Sequence, residues 1–460
     1  MNSLMYRKDD PVPMDPHDVS MALSPHLTSI RLRWYDYHGG IANYNGEAVT
    51  EMILCHPRLK HVWWTQQPQG HGDAYIIAKS TPRPKWRGFP IPSDEKNFVP
   101  FGGGQLETLI IQDPLRNGQL RQWMDLTDFS KLTTLHIDHV KDCDDFDHLV
   151  NVAQGGGLGS VVDFGLRIKT GRHHQVQPYP NLKEDVKIDN KIAKILASLQ
   201  PLQGLRVWSP TGEKSIKVLE SRHGPKLQRL YFDFDVEFRP KCFNKETLAS
   251  LQRHCPQLRE LKISYLRTQG DREEAAIYSI LGQFPLLERL VLWPYIVSTI
   301  GPHWIHVHGK CLTYNDRHEV LRVGLVNSAI DEKLVRSVFD RIVSIQGDRS
   351  RLRHLRFEPR VSRGPVLMDP KGRMDISSIA NCLAQAHVCE KLANPGGGSV
   401  EIRQLEKASK VEFADAIMGL EKKQFLDQAW LDFFPDRTGK WPDKWSSFPL
   451  SDSTATGGWF

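Results

Sequence analysis

The sequence predicts an α/β chain built as a stack of units, each a helix, a turn and a strand. Three observations predict it. The spacing L-x-x-L-x-L, with conservative swaps, recurs ten times between residues 27 and 357, with a weaker eleventh copy. A proline stands two residues before the first Leu in several copies. Apolar residues three and four apart lie upstream of that proline, the stripe of an amphipathic helix.

In chain order the copies are LTSIRL from Leu27, LKHVWW from Leu59, LETLII from Leu106, LTTLHI from Leu132 and VVDFGL from Val161. LQGLRV from Leu202, LQRLYF from Leu227, LRELKI from Leu258, LERLVL from Leu287 and LRHLRF from Leu352 follow. The weaker copy, VLRVGL, starts at Val320. Most spacings lie between 25 and 34 residues; 47 residues before Leu106 and 41 before Leu202 leave room for loops.

The upstream residues share one design in VTEMILCHPRL (49–59), LASLQRHCPQL (248–258) and IYSILGQFPLL (277–287). Pro57, Pro225, Pro256 and Pro285 all occupy the place before the first Leu. Proline ends a helix and biases the residue before it toward extended backbone. Alternating Leu-x-Ile then makes a strand with one buried face. No unit buries its stripe alone, but stacked neighbours share a continuous core.

This pattern resembles the leucine-rich repeat family. More narrowly it resembles the cysteine-containing subtype of F-box proteins, in which a helix leads into C-P-x-L-x-x-L-x-L, as in Cys255–Ile263. The irregular repeats are similar to those of fungal F-box/leucine-rich-repeat proteins, over roughly residues 20–360. The resemblance implies a leucine-rich-repeat solenoid, a horseshoe of about ten to eleven irregular repeats. It also implies a substrate receptor of an SCF-type ubiquitin ligase, with an F-box for the SCF adaptor and the concave face for the target. The residues ahead of Leu27 lack the L-P-x-E-like opening of an F-box, so none is legible. The family often places Asn or Cys three residues after the last Leu, where this chain has Pro114, Val140, Asp235, Leu266 and Tyr295. Turn amides there must find other partners, so a less regular, less curved array is expected.

Three segments are expected: an N-terminal arm or cap over 1–26, the solenoid over 27–360, and a helical C-terminal cap with an aromatic tail over 361–460. The cap helices are read from ISSIANCLAQAHVCEKL (376–392) and VEFADAIMGLEKKQFLDQAWLDFF (411–434). A cap answers the exposed apolar end of a terminal repeat.

The bulk numbers exclude several classes. A net charge of +6 over 460 residues does not mark a nucleic-acid binder. The seven cysteines are scattered and never C-x-x-C, which argues for reduced thiols. The N-terminus has no apolar core of a secretory signal, and no run of about 18 apolar residues exists for a membrane span. The expected setting is the cytosol or nucleus.

Catalytic motifs are lacking: there is no P-loop, G-x-S-x-G elbow or H-E-x-x-H. QGGGLGS (154–160) has no following Lys and reads as a loop rather than a phosphate cradle. His303, His306, His308 and Cys311 in HWIHVHGKC could bind zinc, but a loop with chance histidines is the preferred reading. RHH (172–174) reads as a solvated insertion, and the acidic run DHVKDCDDFD (138–147) as a solvated face. No enzyme, cofactor or metal is expected.

Within each copy the residues beside the inward Leu positions line the opposite face of the strand. They include Arg31, Arg33, His61, Trp63, Arg206, Trp208, Arg229, Tyr231 and Lys262. Arg289, Trp293, His354 and Arg356 continue the series. Acidic residues there are Asp138, Asp163, Asp233, Glu260 and Glu358. A face rich in Arg, Trp and Tyr suits a protein partner, and the basic excess points to an acidic or phosphorylated segment. The bland alternative is that strand-favouring aromatics cover their neighbours. Nucleic acid is the weaker partner class, and no membrane partner is expected. A stand-alone scaffold without a ubiquitin link is the alternative function, and a metal-dependent enzyme the remotest.

Overall fold

The computed structural model describes residues 24, 26–35, 53–54, 56, 58–67, 104–112, 118–140, 143–168, 182–209, 212–233, 243–296, 324, 326–361, 384–392 and 400–405. They fall in two compact units, Met1–His173 with Lys187–Val207, and His174–Val186 with Trp208–Phe460. Both are mixed α/β with mostly parallel pairing.

The first unit holds β1 (Ser29–Tyr35), β2 (His61–Gln67), β3 (Thr108–Gln112), β4 (Thr134–Val140), β5 (Asp163–Ile168) and β6 (Gly204–Trp208), whose last residue falls in the second unit. Strands β1 to β5 pair parallel, each with the next, and β6 lies beside β5. Helices α1 (Gln119–Leu126), α2 (Cys143–Gln154) and α3 (Leu182–Ser198) precede β4, β5 and β6.

Register aligns the motif from copy to copy. Ile30, Val62, Leu109, Leu135 and Phe164 form one row across the sheet, and all are buried. Burial of each such side chain stabilises by roughly 1.5–3 kcal/mol. A second device ignores side-chain identity. The carbonyl of the second motif residue accepts two amides of the next copy, as Thr28 O does from Lys60 N at 2.9 Å and His61 N at 3.1 Å. Lys60, Glu107, Thr133 and Val162 repeat the arrangement. Backbone bonds of this kind tolerate the irregularity of the sequence.

The second unit holds β7 (Arg229–Asp233), β8 (Glu260–Leu266), β9 (Arg289–Ile296), β10 (His354–Phe357), β11 (Arg360–Val361), β12 (His387–Lys391) and β13 (Val400–Gln404). Strands β7 to β10 are parallel neighbours, and β11 continues along β9. Its helices are α4 (Glu213–Val218), α5 (Lys245–His254), α6 (Arg272–Gly282) and α7 (Glu332–Gln346). α6 packs beside α5 and α7, with Lys245 paired to Glu273 at 2.7 Å and Arg341 Nε donating to Ser279 Oγ at 3.0 Å. Asn244, Asp271 and Asp331 cap α5, α6 and α7 by accepting from the third residue beyond, the expected N-cap chemistry.

The prolines act as expected. α5 stops at His254, before Pro256, and α6 at Gly282, before Pro285. α4 runs through a π turn into the 3-10 turn Gly224–Lys226, which contains Pro225. Gly224 is required there, because a Cβ would come within 2.5 Å of the His254 carbonyl oxygen. Pro57 lies outside the described residues.

Two expectations fail. The copy from Val320 adds no strand between its neighbours: β9 pairs directly with β10, Leu290 opposite Leu355. Gly324 and 326–328 are helical, and the rest of that copy lies outside the described residues. Of the helix expected over 376–392, the described end is instead β12 at His387–Lys391, antiparallel to β10 and followed by antiparallel β13, while 376–383 lie outside the described residues. An unpaired strand edge offers a full row of backbone partners, and HVC, buried throughout, joins it in preference to a helical turn. The described part of the segment expected to be a helical cap is therefore β, while 411–434, the aromatic tail and most of 1–26 lie outside the described residues.

At the turn after β8 a buried network stands where the family's asparagine is missing. Glu274 Oε2 accepts the amides of Thr268 and Gly270, each at 2.8 Å, and Asn327 Oδ1 accepts that of Gln269 at 2.8 Å. Arg267 donates to Glu274 and, through Nε, to the Asn327 carbonyl at 2.9 Å. Tyr278 OH donates to Glu274 Oε1 at 2.6 Å and lies 2.7 Å from Tyr265 OH. Gln269 has φ +64°, a left-handed conformation that this network holds.

Candidate interaction surface

Residues between the buried rows form the second face of each sheet, and in both units it is polar and aromatic. In the first unit Arg31 lies opposite Trp63 in the β1–β2 register. Arg31 is exposed, while Trp63 is half-buried with its ring centroid 5.8 Å from that of His61. Of Arg33 only the backbone is described.

Further along this face His136 Nε2 lies 3.0 Å from Asp163 Oδ1, both largely buried. Two glycines make room for the pair. A Cβ at Gly165 would meet His136 Cδ2 at 2.7 Å, and one at Gly204 would meet Asp163 Oδ1 at 2.6 Å. Burial pushes the Asp138 carboxyl up, against the opposing pull of Arg167, His136 and Arg206. Arg206 is half-buried and acts on Asp138; Trp208, which falls in the second unit, is half-buried. His136 was not among the expected face residues. The signal was available, since it stands at the fifth motif position, beside the third position of the next copy.

The second unit gathers Arg229, Tyr231, Lys262, Arg289, Trp293 and Arg356 with Asp233, Glu260, His354, Glu358 and Arg360. Tyr231 OH donates to Glu260 Oε2 at 2.6 Å, and Arg289 approaches the other oxygen at 3.9 Å. Lys262 Nζ and Arg360 Cζ each lie 3.9 Å from the centroid of the Trp293 ring. Trp293 Nε1 donates to Glu358 Oε2 at 2.7 Å. Glu358 also pairs with Arg356, and Arg360 pairs with Asp233. His354 stands opposite Arg289 in the β9–β10 register.

Exposure sorts these residues. The Arg289 and Arg356 side chains are 69% and 46% exposed. Arg229, Tyr231 and Lys262 are half-buried. Trp293 is only 2% exposed, which corrects its reading as a contact residue. Its strand phase is the expected one, but Lys262 and Arg360 cover the ring. Burial lowers the Lys262 ammonium to about 8, with Arg360 and Arg356 adding to the effect and Glu358 and Asp233 opposing it. Arg360, unforeseen in the sequence, extends the alternation of Arg356 and Glu358 by one more place.

The other sequence candidates divide clearly. The amides of Gly155, Gly156, Gly157 and Gly159 donate to the chain's own carbonyls, so this loop has none of them aimed at a phosphate. Asp145, expected on a solvated face, is buried in the first turn of α2, where the helix dipole favours a carboxylate. Among the described residues no group of three or more His, Cys, Asp or Glu converges as metal ligands would. His303, His306, His308, Cys311 and the RHH segment lie outside the described residues. Among the described residues no helix is long and apolar enough to cross a membrane. No protein-family model matches this chain, and no curated protein matches it.

Proposed function

We propose that this chain is a leucine-rich-repeat solenoid of the F-box type that serves as a non-catalytic scaffold. It binds a protein partner through the polar face of its sheet, as a substrate receptor of an SCF-type ubiquitin ligase. The observation that carries the reading is the register of that face in the second unit. Ion pairs and the covered Trp293 ring fix a set of side chains from which Arg289 and Arg356 project. Preordered arginine on a rigid surface lowers the entropy cost of binding and favours an acidic segment. Supporting the ligase role are the C-P-x-L-x-x-L-x-L stretch at Cys255–Ile263 and the burial of Cys255 at the end of α5.

The test is affinity purification of the tagged full-length chain from its native cells, beside the variant Arg289→Glu with Arg356→Glu. The ligase reading expects the SCF adaptor and cullin in near-stoichiometric amounts with both forms, and a further partner that the variant loses. A variant-sensitive partner without adaptor or cullin would leave a scaffold with no ubiquitin link. Equal recovery of every partner by the two forms would remove the polar face as the binding surface.

A further inference from the structure

A pocket of about 470 Å³ opens at the start of β9 and β10, lined by Glu288, Arg289, Arg353, His354, Glu390, Lys391 and Leu392. Its position follows from the backbone: Glu288 O accepts from Arg353 N at 2.9 Å, and Arg353 O accepts from Lys391 N at 2.9 Å. The three strands β9, β10 and β12 therefore bring their charged ends together.

The two acids are already engaged. Glu288 Oε1 accepts from Arg259 at 2.9 Å, and Glu390 Oε2 from Arg403 at 2.6 Å. The cations are not matched in the same way. Arg353 and Lys391 are exposed and have no ion-pair partner among the described residues. Arg289 reaches Glu260 only at 3.9 Å, and His354 reaches Glu390 only at 3.9 Å. Three permanent cations and a histidine thus surround a space of ligand size with too few anions among them. Burial lowers the His354 imidazole, so at neutral pH it acts as a hydrogen-bonding group rather than a fourth charge.

We infer that this pocket takes a phosphorylated side chain of a protein partner. A phosphate monoester carries a charge of about −1.5 to −2 and three acceptor oxygens. It can engage two arginines bidentately and a lysine at once, because it brings more charge and one more acceptor oxygen than a carboxylate does. Leu392, 40% exposed, offers the apolar contact for the stem that carries the phosphate. The inference rests on the protein-partner reading but uses Arg353 and Lys391, which lie outside the face tested there.

The experiment measures fluorescence anisotropy of labelled peptides with a central phosphoserine between randomised positions, against the full chain. The same pool with serine and with glutamate serves as comparison. The phosphoserine pool is expected to bind, and Arg353→Glu with Lys391→Glu to weaken it by roughly tenfold or more. If charge reversal lowers the melting temperature, Arg353→Gln with Lys391→Gln replaces it, with the same direction expected. Equal binding of the glutamate pool would overturn the phosphate assignment, and so would binding that the variants leave unchanged or no binding by any pool. Those failures leave the Arg289 and Arg356 purification result standing, so the two readings fail separately.

Discussion

Arg267 and Arg360 are both paired with a carboxylate in the second unit, and the difference between them separates structure from surface. The Arg267 side chain is 1% exposed and its partner Glu274 0%. Every oxygen of Glu274 is spoken for by a guanidinium, a phenol or turn amides. Arg360 is 36% exposed over a buried Asp233, and its planar group lies on Trp293 instead of being enclosed. The same ion pair closes a turn in one place and paves a face in the other. Burial and the number of hydrogen bonds decide which, not the residue types.

The largest expected effect tests that division. Glu274→Gln leaves the Arg267 guanidinium buried without its counter-charge, at a cost of about 3–5 kcal/mol. A denaturant midpoint that hardly moves would mean that the turn after β8 is held by something else. Trp293→Ala comes next, at roughly 3 kcal/mol if the covered ring is core. Trp293→Phe keeps much of the area and removes only the bond to Glu358, so about 1–2 kcal/mol is expected. Should Trp293→Ala cost no more than Trp293→Phe, the ring is surface after all, and Trp293 returns to the list of contact residues. Arg289→Glu with Arg356→Glu, by contrast, should shift stability by less than about 1 kcal/mol, because both side chains meet solvent. Thermal melting of the purified variant checks that the loss of a partner is a loss of contacts.

Much of the fold was legible because one spacing dictates both local structure and burial. A Leu at the fourth motif position, as at Leu109, Leu230 or Leu290, is strand and core at once. The polar face was legible in phase but not in exposure. Alternation puts Trp293 on that face, yet its cover comes from Lys262 one strand away and Arg360 at the end of another. The Arg267 network was illegible because its partners are distant in sequence, Asn327 lying 60 residues on. Periodicity also misread His387–Lys391, the end of a stretch read as helical over 376–392, because the edge of β10 decides there.

A titration probes the same cover through its charge. Burial holds the Lys262 ammonium at about 8, below its ordinary 10.5. Below about 8 the folded and unfolded chains both carry this proton, and the folded chain bears the full cost of the half-buried charge. As pH rises from about 8 toward 10.5 the folded chain is neutral at this site while the unfolded chain is still charged, so stability rises. Above that range both are neutral and the gain is complete. Contact with the Trp293 face favours the ammonium and works against this shift. The difference in unfolding free energy between the native chain and Lys262→Met, from pH 7 to pH 10.5, isolates the residue from every other titrating group. It should grow in the native chain's favour as the pH rises. A flat difference would mean that the indole ring offsets the desolvation of the ammonium, making Lys262 a permanent cation of the face and a candidate contact for an acidic partner.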